Sequence, residues 1–498
     1  MVVQTAYGKV EGFEEDGLRK WFGVPFAEPP VGELRFRRAQ EPEPWDGVLA
    51  CKEFAPSGIQ FAAPPDAPKA QDPESEDCLY ANVWAPGRAE VQEADAKRPV
   101  FVWSYGGAYH AGSTRNPGYD LSAFARDGIV GVSIPYRLGP LGFYRLCEKS
   151  DRFDSNCGFS DVVAGIRWVH DNIAAFGGDP GNITVCGESA GATMTLCALA
   201  SPALKGCFAK AIIMSGLPTD AVALRGQRIT TDLVLEKLGI DADDPESVAS
   251  FASMAIEEMD GPVSEVFLRR NEWYPGLPLT GPSVGDDLLP ENVWDALANG
   301  NAEGVSCLFG TCHDEGAIFV GSHQAPASWK EVDAMFEANG YGDRCARLRE
   351  LYGEDEKPAL EGIVRDMMFW AGDMRAALAQ SGHADVYVYR YDFVPWKMRE
   401  LGMGALHISD IAPSFDVYRE GTSYDGTPRE VLEPIHGYMH GSFVRFCSTG
   451  DPNGAIPLEW ERYEENSRAT MAINEECHIE YDPNRALYDF WKDIELYR

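Results

Sequence analysis

The stretch "CGESAGATMTLCALA", Cys186 to Ala200, decides how the rest of the chain is read. It holds Gly-Glu-Ser-Ala-Gly, preceded by the apolar run "ITVC" (183–186) and followed by small residues of helical character. A chain that leaves a buried strand and enters a helix at once must turn tightly, and glycines at the flanks are what that turn tolerates. Such an elbow lifts the Ser189 hydroxyl to the top of a sheet. The same five-letter pattern recurs as "GPSVG" (281–285), but there it follows "PGLPLT", has Pro282 beside the serine and leads into "DDLLPENV". That is loop chemistry, so Ser283 is set aside as a nucleophile.

Outward from the elbow, short apolar segments alternate with helical ones. "PVFVWSY" (99–105), "IVGVSIPYR" (129–137) and "NITVCG" (182–187) read as strands, with "DVVAGIRWVHDNIAAF" (161–176) as the helix between the last two. "AKAIIMSG" (209–216), "GVSCLFG" (304–310) and "ADVYVYRYDF" (384–393) continue the strand series, and "YMHGSFVRFCSTGDPNG" (438–454) reads as a closing helix stopped by Gly, Pro and Asn. Strands joined by helices of this length require crossovers, hence an α/β chain with a mostly parallel sheet. Residues 225–272 are charged and helical without strand signals, which predicts a helical insertion over the sheet. "APPDAPKAQDPESED" (63–77), proline-rich and acidic, reads as a surface loop.

With 498 residues the chain can bury a large core. Its 78 acidic against 43 basic residues give a formal charge of -35, which repels nucleic acid and anionic membrane surfaces. The N-terminus "MVVQTAYGKV" lacks a basic segment followed by an apolar one, and no apolar run is long enough to span a bilayer. Twelve scattered cysteines without a C-x-x-C pair signal neither zinc nor a compact disulfide framework. The expectation is a soluble cytoplasmic protein acting on a small molecule, with no nucleic-acid or membrane partner.

A serine hydroxyl attacks only when a base takes its proton, and the base needs an acid to orient it. Five histidines lie beyond the later strands: His383, His407, His436, His440 and His478. His407, in "GMGALHISD", follows the strand at 384–393 by a glycine-rich loop of the kind that delivers a base to a sheet tip. His440 falls inside the closing helix, His436 at its start and His478 in an acidic tail. For the acid, "FGTCHDEGAIF" puts Asp314 and Glu315 directly after a strand, and pattern does not choose between them. "WSYGGAYHAGS" (103–113) supplies a glycine-rich loop whose amides, with that of Ala190, can hold an oxyanion. This chemistry needs no metal and no organic cofactor.

Together these segments resemble the type-B carboxylesterase/cholinesterase family of α/β-hydrolases over nearly the whole chain. "FGVPFAEPPVGELRF", "SEDCLYANVWAP", "PYRLGPLGF", "CGESAG", "GTCHDEG" and "GALHISDI" carry the likeness. The resemblance implies an α/β-hydrolase fold and a serine esterase with triad Ser189, Glu315 and His407, so it selects Glu315 over Asp314. It implies an oxyanion hole of Gly107, Ala108 and Ala190, and buried polar groups Glu188, Ser215 and Asp410 near the base. Acyl-pocket walls are expected around Leu217–Val222 and Trp273–Leu279.

Three places depart from the family pattern. Cys78 lacks the disulfide partner usual in secreted members. Residues 59–77 contain no tryptophan on which choline could sit. The oxyanion loop reads "YGGA" where many members have His-Gly-Gly-Gly. An amidase, carbamate hydrolase or lipase could run on the same triad, and some relatives use the fold for adhesion without a nucleophile.

Overall fold

The computed structural model describes residues 1–61, 72–87, 97–278, 280–320, 322 and 325–498. Most of the loop expected over 63–77 lies outside the described residues, as does Leu279.

The strand segments assemble into one sheet of 11 strands. From one edge the order is His478–Glu480, Thr470–Ile473, Val386–Tyr391, Ser306–Cys312, Lys210–Met214 and Gly178–Glu188. It continues through Arg98–Ser104, Val130–Ser133, Tyr80–Ala85 and Leu18–Pro25 to Phe13–Glu15. Every pairing from Thr470–Ile473 across to Val130–Ser133 is parallel, and antiparallel strands close both margins. The mostly parallel α/β sheet read from the strand spacing is therefore its centre.

Period-two alternation divides the core into two faces. Val100, Val102, Ala211, Ile213 and Phe309 point into one apolar cluster; Phe101, Trp103, Ile212, Met214 and Leu308 point into the other. On the first face lie the helices Cys157–Asn172, which buries Phe159, Val162, Val163 and Ile166 at helical spacing, and Ala190–Ala200, buried on all sides. The second is covered by Arg429–Thr449, whose Met439, Phe443 and Phe446 are buried. That helix begins earlier than its sequence signal. Pro434 lies inside it, losing only its own amide bond, so His436 sits within the helix rather than at its start. His478 belongs to an edge strand rather than a tail.

Residues 225–272 lie largely in helices Leu224–Lys237, Pro245–Ala249 and Ile256–Trp273, which join Phe36, Phe61 and Leu141 in a third apolar cluster. Among the described residues no helix is long and apolar enough to cross a membrane. Because the central strands are parallel, the loops after Ser104, Glu188, Met214, Cys312 and Tyr391 all leave from the same edge of the sheet, where open α/β folds place their sites.

Candidate active site

At the end of strand Gly178–Glu188 the chain turns into helix Ala190–Ala200 through Ser189 alone, at φ 56° and ψ -122°. A non-glycine residue held there costs on the order of 1–3 kcal/mol and persists only if its surroundings impose it. They do: the Ser189 amide donates to the Met214 carbonyl at 2.9 Å, and the Ser189 carbonyl accepts from the Thr193 amide at 3.0 Å. The flanking glycines are steric necessities. A Cβ on Gly187 would overlap the Gly191 backbone, and one on Gly191 would overlap the Ser104 carbonyl. Ser283, by contrast, lies outside any helix or strand with its amide and hydroxyl on Asn156 Oδ1, at 2.8 and 3.3 Å.

His407 and Glu315 are brought together from loops 92 residues apart. The imidazole Nδ1 donates to Glu315 Oε2, while Glu315 Oε1 accepts from the Ser215 hydroxyl at 2.5 Å and the Cys312 amide at 2.6 Å. With both oxygens engaged and the residue fully buried, this carboxylate cannot rotate away. Asp314 turns elsewhere. Its amide donates to the Ala405 carbonyl and its Oδ2 accepts from the Ala405 amide, both at 2.9 Å, so it braces the loop that carries His407. The ring of His407 is further packed by Phe369 and Phe319, at centroid distances of 4.6 and 5.3 Å. Phe369 comes from a π-helical turn, Asp366–Trp370, a local widening frequent at functional sites.

The other ring nitrogen, Nε2, lies 3.0 Å from Glu188 Oε1. The separation suits an ion pair although the angle does not suit a hydrogen bond, so the coupling is electrostatic. Burial alone would lower the His407 pKa, but the carboxylates of Glu188 and Glu315 outweigh it and hold the imidazole above its ordinary value. Glu188 is likewise raised, by burial first, with His407 opposing. Asp410, raised to about 6 mainly by burial, accepts the Tyr389 hydroxyl at 2.7 Å. Glu188, Ser215 and Asp410 are all buried around the His407–Glu315 pair.

Opposite the elbow, the loop after Ser104 presses directly on it. A Cβ on Gly106 would come within 2.6 Å of Glu188 Oε2 and 2.9 Å of Ser189 Cβ. Gly107 has φ 119°, and Ala108 and Tyr109 follow at 55° and 63°, two non-glycine residues in left-handed conformation. The amides of Gly107, Ala108 and Ala190 have no protein acceptor among the described residues. What fixes this strained loop is His110. Its amide donates to Gly107 O at 3.1 Å and its Nδ1 to Ala108 O at 3.0 Å; burial drops its pKa to about 4, so it stays a neutral brace.

Sequence reasoning did not single out His110, Phe319, Phe369 or Asp373. Asp373 accepts the Gly216 amide at 2.8 Å beside Ser215, and burial raises its pKa well above the carboxylate range. For His110 the signal was its place inside the glycine-rich loop and for Phe319 its place four residues after Glu315; Phe369 and Asp373 reach the site only by tertiary packing. His383, His436 and His440 are tied to the carbonyls of Ala298, Pro413 and Ser414. Among the described residues no group of three or more His, Cys, Asp or Glu could hold a metal. A small cavity of about 50 Å³ lies between Thr219, Leu277, Pro278, Met367, Met368 and the C-terminal segment.

A buried imidazole oriented by a carboxylate, a serine on a strained strand-to-helix elbow and open amides beside it define a hydrolase of the α/β-hydrolase fold. Comparison with known proteins carries this further: residues 1–491 match the carboxylesterase family, and the chain belongs to it. It is 33% identical over 489 residues to the para-nitrobenzyl esterase of Bacillus subtilis, covering 97% of this chain and 96% of that protein. It is 30% identical to the phenmedipham hydrolase of Pseudarthrobacter oxydans, covering 95% of each. A solved para-nitrobenzyl esterase structure superposes with a TM-score of 0.87 at 32% identity, over 98% of this chain and 99% of that one. The protein is a carboxylic ester hydrolase.

Proposed function

We propose that this esterase works through an acyl-enzyme on Ser189. His407 takes the hydroxyl proton at Nε2 as Ser189 attacks the ester carbonyl, and Glu315 keeps Nδ1 protonated and stabilises the imidazolium that forms. The amides of Gly107, Ala108 and Ala190 receive the oxyanion of the tetrahedral intermediate. Its collapse breaks the ester C–O bond while His407 returns the proton to the departing alcohol. Water then attacks the acyl-enzyme by the same route and releases the acid. Glu188 and Asp410 set the charge around the base, and Ser215 anchors Glu315.

The observation that carries this reading is the pair of Glu315 on Nδ1 and Glu188, the chain neighbour of Ser189, 3.0 Å from Nε2, which supports Nε2 as the end of the ring that serves the elbow. The acyl-pocket walls are assigned to the segments around Leu217–Val222 and Trp273–Leu279, which meet at the small cavity between Thr219 and Leu277. We take residues 1–498 as one domain with 225–272 as a helical insertion. The cytoplasm is the compartment we assign, on the buried free thiols Cys51 and Cys78. The test is covalent labelling with a fluorophosphonate, followed by peptide mapping. Wild type should carry one adduct, on Ser189, and S189A none; an adduct elsewhere, or esterase activity surviving in S189A, would refute the mechanism.

A further inference from the structure

Ile408, the residue after His407, stands in a conformation its side chain disfavours. Its φ is 70°, in the left-handed region where a Cβ crowds the backbone carbonyl, and branching at Cβ makes the crowding worse. Among the described residues it is the sole valine, isoleucine or threonine at positive φ. The turn explains the backbone and not the residue. Ser409 N donates to Leu406 O at 3.0 Å and Ile411 N to Ile408 O at 3.2 Å, closing a tight bend before helix Ile411–Phe415 that glycine or asparagine would serve better. Nor does packing offset the strain, because the residue is 54% exposed. An isoleucine kept at such a position without burial points to a role in function rather than in folding.

We propose that Ile408 is a specificity-determining residue that contacts the alcohol half of the ester, and that this half is apolar. The inference rests on the mechanism proposed above. When the ester bond breaks, the departing oxygen must lie within hydrogen-bond reach of His407 Nε2 to collect its proton. The acyl half is held on the other side, by Ser189 and the three amides. Successive Cα atoms are about 3.8 Å apart, which brings the residue after the base within reach of the alcohol. Phe319 and Phe369 pack the imidazole, Glu315 closes Nδ1 and the Glu188 carboxylate stands 3.0 Å from Nε2, so on the base-bearing turn itself the exposed apolar side chain beside the base is Ile408. Two further exposed apolar side chains, Leu401 and Met403, lie on the same base-bearing segment, and Ile318 is exposed three residues after Glu315.

The test compares I408G and I408V with wild type on two ester series. One holds acetate constant and lengthens the alcohol from ethyl to hexyl; the other holds p-nitrophenol constant and lengthens the acid from acetyl to hexanoyl. In I408G the KM for hexyl acetate should rise about tenfold relative to ethyl acetate, the scale of a lost apolar contact, with kcat within about twofold. The acyl series should keep its wild-type ratios, I408V should restore most of the hexyl preference, and I408G should melt no lower than wild type. An unchanged or reversed hexyl-to-ethyl ratio overturns the proposal, as does an equal shift in both series. A fall in kcat on every ester also overturns it, since that would make Ile408 a support for His407. If wild type itself hydrolysed neither series, the failure would belong to the Ser189 mechanism.

Discussion

Two pentapeptides in this chain obey the same rule, and they live in opposite surroundings. Ser189 follows a central parallel strand, is held at φ 56° by bonds to Met214 and Thr193, and has as its chain neighbour a buried carboxylate, Glu188, that lies 3.0 Å from the buried His407 imidazole. Ser283 lies outside regular structure, with its hydroxyl turned to the neutral amide of Asn156. What separates the two is the strand before Ser189 and the helix after it, which force that serine out of ordinary backbone geometry. The largest expected contrast follows directly. S189A should lower kcat/KM on p-nitrophenyl acetate by about 10⁴-fold or more while leaving the fold intact. S283A should stay within about twofold of wild type and cost less than about 1 kcal/mol, because Asn156 Oδ1 keeps its bond from the Ser283 amide. Comparable losses in the two variants would remove the distinction.

How much of this contrast was legible in the sequence depends on how local each part is. The strand "ITVC", the elbow and the small-residue helix are contiguous, so their pattern could be read; the order of serine, acid and base along the chain narrowed the partners. Asp314 and Glu315 are adjacent and chemically alike, and pattern left both open. Resemblance to a family pointed to Glu315, and the structure adds the physical reason for the difference: Asp314 is occupied by both polar groups of Ala405, while Ser215 and Cys312 aim Glu315 at the imidazole. Phe369 and Asp373 left no trace because they act through contacts far along the chain, from a helix whose own sequence reads as ordinary core. The start of the helix at Arg429 was obscured by Pro434, whose single lost bond is outweighed by Leu432, Ile435 and Met439 in the core.

The glycines sharpen the comparison at a second level. At Gly191 an added Cβ would meet the Ser104 and Tyr105 carbonyls, main-chain atoms of the oxyanion loop that cannot swing aside. G191A should therefore destabilise the protein by about 3 kcal/mol, read as a lower midpoint in urea, and should damage turnover as well because elbow and loop separate. At Gly285, the matching letter of the second pentapeptide, nothing lies within 4 Å of an added Cβ, and only φ 106° resists it. G285A should cost about 1 kcal/mol with turnover intact. Equal costs would mean that the two pentapeptides are equally constrained and that the elbow is no special geometry.

The smallest expected effect concerns charge. Ser189 differs from Ser283 in having a carboxylate, Glu188, where Ser283 has a neutral amide, and E188Q makes the first site resemble the second in this respect. In the proposed mechanism His407 serves as base only when neutral, so activity should rise with pH through its pKa. Burial pushes that pKa down, Glu188 and Glu315 push it up, and the carboxylates win. Removing the Glu188 charge leaves Glu315 alone against burial, so the base loses its proton more easily. The acid limb of the kcat/KM profile should then move to lower pH by about one unit, equivalent to about 1.4 kcal/mol of lost charge stabilisation. D410N should move it the same way by less, since Asp410 contributes least among the three carboxylates named here as acting on His407. A profile that stayed in place in E188Q, or moved to higher pH, would show that Glu188 does not govern the proton on the base, and the 3.0 Å approach of the two groups would have to be explained by packing alone.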